Sequence, residues 1–296
     1  MSASKINITG EENLTSLLET TFQFLDKQDY DAASKVADHI RNGLDATLIN
    51  NTRPHMVRAI KDLAGDNKEI RILDLGCGYG ISIFCLMLLG YKNVVGVDIC
   101  PLNVPTEAAK LLGFPSVKFE QYDGKNTSLE TESFDVVISE QVLEHVFEIE
   151  AFYNEIHRLI KPNGSAILSF PHRYKLFDSH GQTWFLHMFP RNIYLGLAKM
   201  VGRDATYLAK LLNLQSIKYH KKIAKSYFPI VENIAWKRLV NMSSNEFLKS
   251  KGHKSSAYQK ARLLVHRVFK LPVIGQIAAR SLAPLSDADL VMRKRA

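Results

Sequence analysis

The stretch Ile70-Arg71-Ile72-Leu73-Asp74-Leu75-Gly76-Cys77-Gly78-Tyr79-Gly80 leads, through an apolar run, to Val94-Val95-Gly96-Val97-Asp98. A short apolar strand enters a glycine-rich turn, and an amphipathic segment then reaches a second strand that ends in an acid. That is the first half of a βαβ unit of the nucleotide-binding kind. Glycines at such a turn let the backbone approach a ligand closely. Asp98 stands where a carboxylate can accept from ribose hydroxyls. A dinucleotide fingerprint asks for a small residue at position 81, where this chain has Ile81, and it has no place for Asp74 just ahead of the turn. Both features disfavour an NAD-dependent oxidoreductase.

Working outward, alternating strands and helices continue. Strands are expected at 70–75, 93–98, 116–121, 133–139 and 165–170. Helices are expected at 79–89, 101–112 and 149–160, with Lys161-Pro162-Asn163-Gly164 as a turn signature. This alternation implies a parallel sheet with helices on both faces. Upstream, Tyr30, Ala33, Val36, Ala37, Ile40, Leu44 and Leu48 recur at helical spacing, so residues 11–64 read as helices. Downstream, 172–190 is rich in aromatics and histidines without a clean period. Residues 191–242 read as lysine-bearing helices, 243–252 as a further helix, and 253–258 and 289–294 as the last two strands.

The chain has 296 residues, an apolar content of 46% and a net charge of +8. Those values fit one sizeable globular domain with additions. The charge is divided unevenly. Residues 1–150 hold 13 Lys and Arg against 23 Asp and Glu, a balance of −10; residues 151–296 hold 25 against 7, or +18. A basic half points toward polyanions or anionic membrane surfaces, or else is a solvated face. Cys77, Cys85 and Cys100 have no metal-type spacing, which fits a reducing compartment. Met1 to Lys5 has no apolar signal-type core, and no apolar run nears the ~20 residues of a membrane-spanning helix, so a cytoplasmic location is expected.

In its ordered motifs the chain resembles the class I S-adenosylmethionine-dependent methyltransferases. The residues are Asp74-Leu75-Gly76-Cys77-Gly78-Tyr79-Gly80, Asp98, Asp123-Gly124, Ser133-Phe134-Asp135-Val136-Val137, Leu143-Glu144-His145-Val146 and Leu159-Ile160-Lys161-Pro162-Asn163-Gly164. They fall in the family's order over about residues 68–171. More loosely, the Leu-Glu-His-Val segment and the stretches 170–174 and 184–191 resemble small-molecule and polysaccharide-locus members. The resemblance implies an α/β, doubly wound, mostly parallel seven-stranded sheet with N-terminal helices and helical insertions before and between the last two strands. The expected divisions are an N-terminal helical cap (1–65), a cofactor-binding core (66–171), a helical acceptor-side insertion (172–252) and the last two strands with a basic amphipathic insert (253–296).

For S-adenosylmethionine, the resemblance implies that Asp74, Gly76, Cys77 and Gly78 lie at the amino-acid end. Asp98 lies at the ribose, Asp123 and Gly124 at the adenine, and Glu140 and Gln141 where the methyl group points, with Ile99 a further cofactor-binding residue. Methyl transfer from a sulfonium needs mostly positioning. An oxygen nucleophile can also use a base, for which His145, His172, His180 and His187 are candidates, His145 and then His172 ahead of the others. Some relatives hold a divalent ion through Glu-x-x-Glu-His. Here the five residues are Gln141-Val142-Leu143-Glu144-His145, and an amide is a poor ligand for a hard cation, so no metal is expected.

The implied reaction is methyl transfer to oxygen of a glycan, glycolipid or other small metabolite. The rivals are a nucleic-acid methyltransferase and a non-catalytic cofactor-binding adapter. Against the nucleic-acid rival, Ser139-Glu140-Gln141 stands where an Asn-Pro-Pro-Tyr motif would follow the fourth strand. Residues 260–283 mix Lys260, Arg262, Arg267, Lys270 and Arg280 with apolar side chains, the pattern of a helix able to lie on an anionic membrane, where the acceptor would be a lipid-linked glycan or other amphiphile.

Overall fold

The computed structural model describes residues 55–241 and 267–295. The elements expected upstream of residue 55, at 243–252 and at 253–258 lie outside the described residues, as do residues 260–266 of the basic segment.

Seven strands form one sheet in the order β3-β2-β1-β4-β5-β9-β8, and β6 and β7 form a separate two-stranded hairpin. The strands are β1 Arg71–Leu75, β2 Asn93–Asp98, β3 Lys118–Gln121, β4 Phe134–Glu140, β5 Ile160–Phe170, β6 Phe177–Asp178, β7 Thr183–Trp184, β8 Ile230–Asn233 and β9 Ala288–Arg293. The fold class expected from the sequence is the one observed. The chain divides between Ile138 and Ser139, inside β4, into two compact units.

In the first unit α1 (His55–Ala64) precedes β1, α2 (Ile81–Leu88) joins β1 to β2, and α3 (Asn103–Leu111) joins β2 to β3. β1 pairs in parallel with both β2 and β4, and β2 with β3. Ile72, Leu73 and Leu75 of β1 are fully buried, as are Ile83 and Phe84 of α2 and Val97 of β2. Each such side chain contributes about 1.5–3 kcal/mol of burial free energy. A near-continuous apolar strand is what a sheet covered on both faces demands. Gly96 lets α2 sit close: a Cβ there would stand 2.5 Å from Ile83 Cδ1 and 2.8 Å from Phe119 Cδ1.

In the second unit α4 (Ile149–Leu159) precedes β5, and its Phe152, Tyr153, Ile156 and Leu159 are all buried. β9 pairs antiparallel with β5 and with β8. Among the described residues the further helices are α5 (Arg191–Met200), α6 (Ala205–Leu211), α7 (Ile217–Tyr227), α8 (Ala235–Asn241) and α9 (Ile274–Leu282). Two differences from the sequence reading stand out. The strand beside β9 is Ile230–Asn233, inside a stretch that reads as helix. The expected turn at 161–164 is a bend within β5, with Asn163 in the left-handed region at φ +65.

Candidate active site

The first unit builds its polar residues at the carboxyl ends of its strands. Gly76 and Cys77 both donate their N–H groups to the Val97 carbonyl, at 2.7 and 3.0 Å, which stitches the turn after β1 to the end of β2. Gly76 and Gly78 are left-handed (φ +84 and +52). A Cβ at Gly78 would meet nothing within 4 Å, so the requirement for glycine there is conformational, not steric crowding by neighbours. Gly78 N–H donates to Asp98 Oδ2 at 2.7 Å, and Cys100 N–H donates to Asp98 Oδ1 at 2.9 Å. A carboxylate offers roughly four lone-pair sites, so each oxygen of Asp98 keeps one for a hydroxyl.

Asp74 is buried at β1. The Cys77 thiol is pushed up, first by burial and then by the charges of Asp74 and Asp98. It therefore stays protonated and is not a nucleophile. Two carboxylates acting on one turn create a place for a cation and repel a phosphate, which fits a sulfonium or ammonium and opposes a pyrophosphate. Farther along, Asp123 Oδ1 accepts from the N–H groups of Asn126 and Lys125, both at 2.8 Å, and these bonds hold its carboxyl below the ordinary range. Gly124 is left-handed, and a Cβ there would touch Ile99 Cγ2 at 3.4 Å. Ile99 is 59% exposed, an apolar shelf beside Asp123 and Gly124 of the kind a flat ring can rest on.

The second unit carries the other candidates. Glu140 closes β4. Gln141 is exposed, left-handed (φ +58), and donates its N–H to the Ser169 carbonyl at 2.8 Å. The single turn Leu143–His145 follows. Segment 211–213 clamps that turn: Asn213 N–H donates to the Glu144 carbonyl (2.7 Å), Asn213 Nδ2 to the Val146 carbonyl (2.9 Å), and the His145 Nδ1–H to the Leu211 carbonyl (2.8 Å). The last bond fixes the tautomer, leaving a lone pair on Nε2. Glu144 is fully buried, neither of its carboxylate oxygens has a hydrogen-bond partner, and burial raises it to about 7. His145 Nε2 lies 3.9 Å from Glu144 Oε1, and burial lowers the His145 ring below the ordinary histidine value.

His180 completes the group. Its ring stacks edge-on to His145 with centroids 5.1 Å apart. It sits in the turn between β6 and β7, organised by Asp178. That carboxylate accepts from Tyr194 Oη–H (2.7 Å), Gly181 N–H (3.0 Å) and His180 N–H (2.9 Å). Burial alone would raise Asp178; the nearby His180 ring, the Tyr194 hydroxyl and the backbone donors outweigh it and hold it at about 2. Asp178 and Tyr194 are absent from the sequence reading, although Asp178-Ser179-His180-Gly181 carries the signature of an aspartate-capped turn.

His172, the second base expected from the sequence, is built differently. It is 1% exposed, its Nε2 lies 2.9 Å from the Ser286 carbonyl, and its Nδ1 accepts from Tyr174 N–H at 3.1 Å. With both nitrogens engaged by backbone it is a fixed neutral ring. His187 is buried too, with Nε2 2.6 Å from the Lys175 carbonyl. Burial lowers His172 to about 4; it lowers His220, packed on Phe170 and Tyr153, to about 3, with His172 adding to the effect. In the unfolded chain both take up protons near pH 6.5. Their stabilisation is therefore complete above about pH 6.5 and is lost as pH falls toward 4 and below. His172 alone is expected to cost roughly 3 kcal/mol by pH 4. Urea midpoints should fall steeply between pH 7 and 4, and less steeply in His220→Phe; equal slopes would contradict this account.

Residues 73–168 match the family model described as a methyltransferase domain. The chain is 31% identical over 205 residues to a ubiquinone biosynthesis O-methyltransferase of Rickettsia prowazekii, covering 68% of this chain and 79% of that protein. A Bartonella tribocorum protein of the same name is 27% identical over 189 residues, covering 62% and 73%. Among solved structures, Haemonchus contortus phosphoethanolamine N-methyltransferase 2, in complex with phosphomonomethylethanolamine and S-adenosylhomocysteine, superposes with a TM-score of 0.54 at 17% identity, over 93% of this chain and 61% of that one. The chain belongs to the class I S-adenosylmethionine-dependent methyltransferases. It is a methyltransferase with S-adenosylmethionine as its methyl donor.

Proposed function

We propose that the enzyme transfers the methyl group to a hydroxyl oxygen of a small, partly apolar acceptor. The observation that carries this reading is the Glu144–His145–His180 group beyond β4, where polar side chains able to take or polarise a hydroxyl proton converge. Apolar side chains stand close to it in the chain: Phe147 and Leu211 are both exposed. The relatives named for O-methylation support oxygen as the acceptor atom. They give no support to a glycan or glycolipid, and a hydroxylated ring on an apolar tail suits the exposed side chains better. Asp74, Asp98, Asp123 and the glycine turn are the residues that would hold the donor. The bound donor supplies a sulfonium-activated methyl, so the protein's part is to align it and the acceptor oxygen.

Labelled-methyl transfer tests the reading against four acceptor sets: hydroxylated aromatics, glycans, anionic lipids and RNA. Transfer to the first set is expected, with kcat falling at least ~100-fold in His145→Ala. Transfer confined to glycans, lipids or RNA would overturn it.

A specific observation favours peripheral membrane contact as well. Val273, Ile274 and Ile277 of α9 and its entry are 69, 61 and 61% exposed, and exposed Arg267, Lys270 and Arg280 lie in the same stretch. Apolar side chains beside cations match an anionic bilayer surface. No described helix is long and apolar enough to cross a membrane. Co-sedimentation with phosphatidylglycerol vesicles is expected for the native chain, and clearly reduced in the double variant Ile274→Asp, Ile277→Asp. Equal pelleting would remove the idea.

A further inference from the structure

We propose that Asp178 and Tyr194 are positioning residues that hold His180 as the proton acceptor for the methylated hydroxyl. The proposal rests on the reading above, that transfer is to oxygen, and it deepens that reading by choosing between two imidazoles. His145 and His180 stack edge-on, with centroids 5.1 Å apart, but they are supported differently. Behind His145 Nδ1 stands a neutral carbonyl, that of Leu211. Behind His180 Nδ1, at 3.7 Å, stands the Asp178 carboxylate. That nitrogen is buried and has no hydrogen-bond partner, so it is the one left for Asp178. A carboxylate in this place fixes the Nδ1–H tautomer, leaves the lone pair on Nε2 and stabilises the imidazolium that forms. The gap exceeds a hydrogen bond by about 0.8 Å, and such contacts tighten when an enzyme binds its substrate.

Asp178 does more than cap a turn. A cap needs only an acceptor for the N–H groups of His180 and Gly181, which a neutral side chain supplies. A carboxylate that is 3% exposed and still ionised costs much more to bury, and that cost is offset where a positive charge forms beside it. Tyr194 fixes the orientation of the carboxylate by donating Oη–H to Oδ2 at 2.7 Å. Gly181 leaves room for that bond: a Cβ there would fall 2.7 Å from Asp178 Oδ2 and 2.6 Å from Tyr194 Oη. Tyr194 is itself anchored, because α5 packs on α6 through Tyr194, Ala198, Leu208 and Leu212. The end of α6 and the residues after it bind the His145 turn, through the Leu211 carbonyl and Asn213. One pair of helices therefore sets both rings, the rigid support that a preorganised site needs.

In the proposed step the hydroxyl oxygen bonds the methyl carbon, and the carbon–sulfur bond breaks with its electron pair left on sulfur. The hydroxyl proton passes to His180 Nε2. The products are a methyl ether, a neutral thioether and an imidazolium beside Asp178, which then gives its proton to water.

The test is 15N NMR of the histidine side chains of the full chain, with kinetics on the hydroxylated aromatic that the screen above finds methylated. The native His180 ring is expected as the Nδ1–H tautomer. Asp178→Asn should abolish that preference, since an amide NH2 then faces the ring. Its kcat should fall at least ~100-fold, and that of Tyr194→Phe roughly 10-fold, with KM for S-adenosylmethionine unchanged. A merely structural role would lower the melting temperature and leave tautomer and kcat as they were. If Asp178→Asn does not fold, Tyr194→Phe, which removes one hydroxyl, decides alone. A native Nε2–H tautomer, or an unchanged kcat in a folded variant, overturns the assignment and leaves methylation of oxygen standing. A label on nitrogen or carbon overturns both.

Discussion

Asp98→Asn is expected to weaken S-adenosylmethionine binding by about 10- to 150-fold, the range that corresponds to losing a charge-assisted hydrogen bond of about 1.5–3 kcal/mol. The reason is geometric. Both oxygens of Asp98 accept a backbone N–H, from Gly78 and from Cys100, while each keeps a lone pair directed elsewhere. An asparagine can serve one of those N–H groups and must turn its own NH2 toward the other. The glycine turn then loses its tie to β2 at the place where ribose hydroxyls would bind. Calorimetry with S-adenosylmethionine reads the loss, and a thermal melt confirms that the variant folds. An unchanged Kd would remove Asp98 from the cofactor site.

The largest stability effect is expected at Arg238. Its Nε and one terminal nitrogen bind the two oxygens of Asp289 at 3.0 and 2.5 Å, and the same terminal nitrogen reaches the Asp287 carbonyl at 3.4 Å. Asp289 lies in β9, between β5 and β8, and is buried; Arg238 lies in α8. Arg238→Ala leaves that carboxylate buried and uncompensated, a loss of about 3–5 kcal/mol. Replacing both partners with leucine removes the stranded charge and should recover most of the deficit. Urea unfolding checks both. A single variant as stable as the native chain, or a double variant no better than Arg238→Ala, contradicts this assignment.

How much the sequence revealed follows from what each element depends on. Strands β1 to β5 and helices α2 to α4 fall close to their expected places because each has a local cause. The largely apolar run Ile72 to Leu75 stops at Gly76, the run Val94 to Val97 stops at Asp98, and Phe152, Ile156 and Leu159 repeat at helical spacing. The glycine turn was legible because left-handed backbone is a local demand that only glycine meets cheaply. β8 was not. It has four residues, a lysine-rich approach that reads as helix and, among the described residues, β9 as its one pairing neighbour. The Glu144–His145–His180 group was half legible. His145 and His180 were in view as candidates, yet their meeting around Glu144 depends on a two-residue hairpin and on the Asp178–Tyr194 bond, contacts that no periodicity announces. His172 misled for a related reason: its place after β5 suggested a base, whereas two backbone partners make it part of the core.

The fold itself leaves the acceptor atom open. Its solved neighbours include a phosphoethanolamine N-methyltransferase and, at a TM-score of 0.51 and 11% identity, a geranyl diphosphate C-methyltransferase of Streptomyces coelicolor. Oxygen as the acceptor rests on the Glu144–His145–His180 group and on the relatives named for O-methylation. The most direct test is to supply methyl-labelled S-adenosylmethionine, isolate the product and identify the labelled group by NMR. The account predicts a methoxyl on a small hydroxylated molecule; a label on nitrogen or carbon would contradict it.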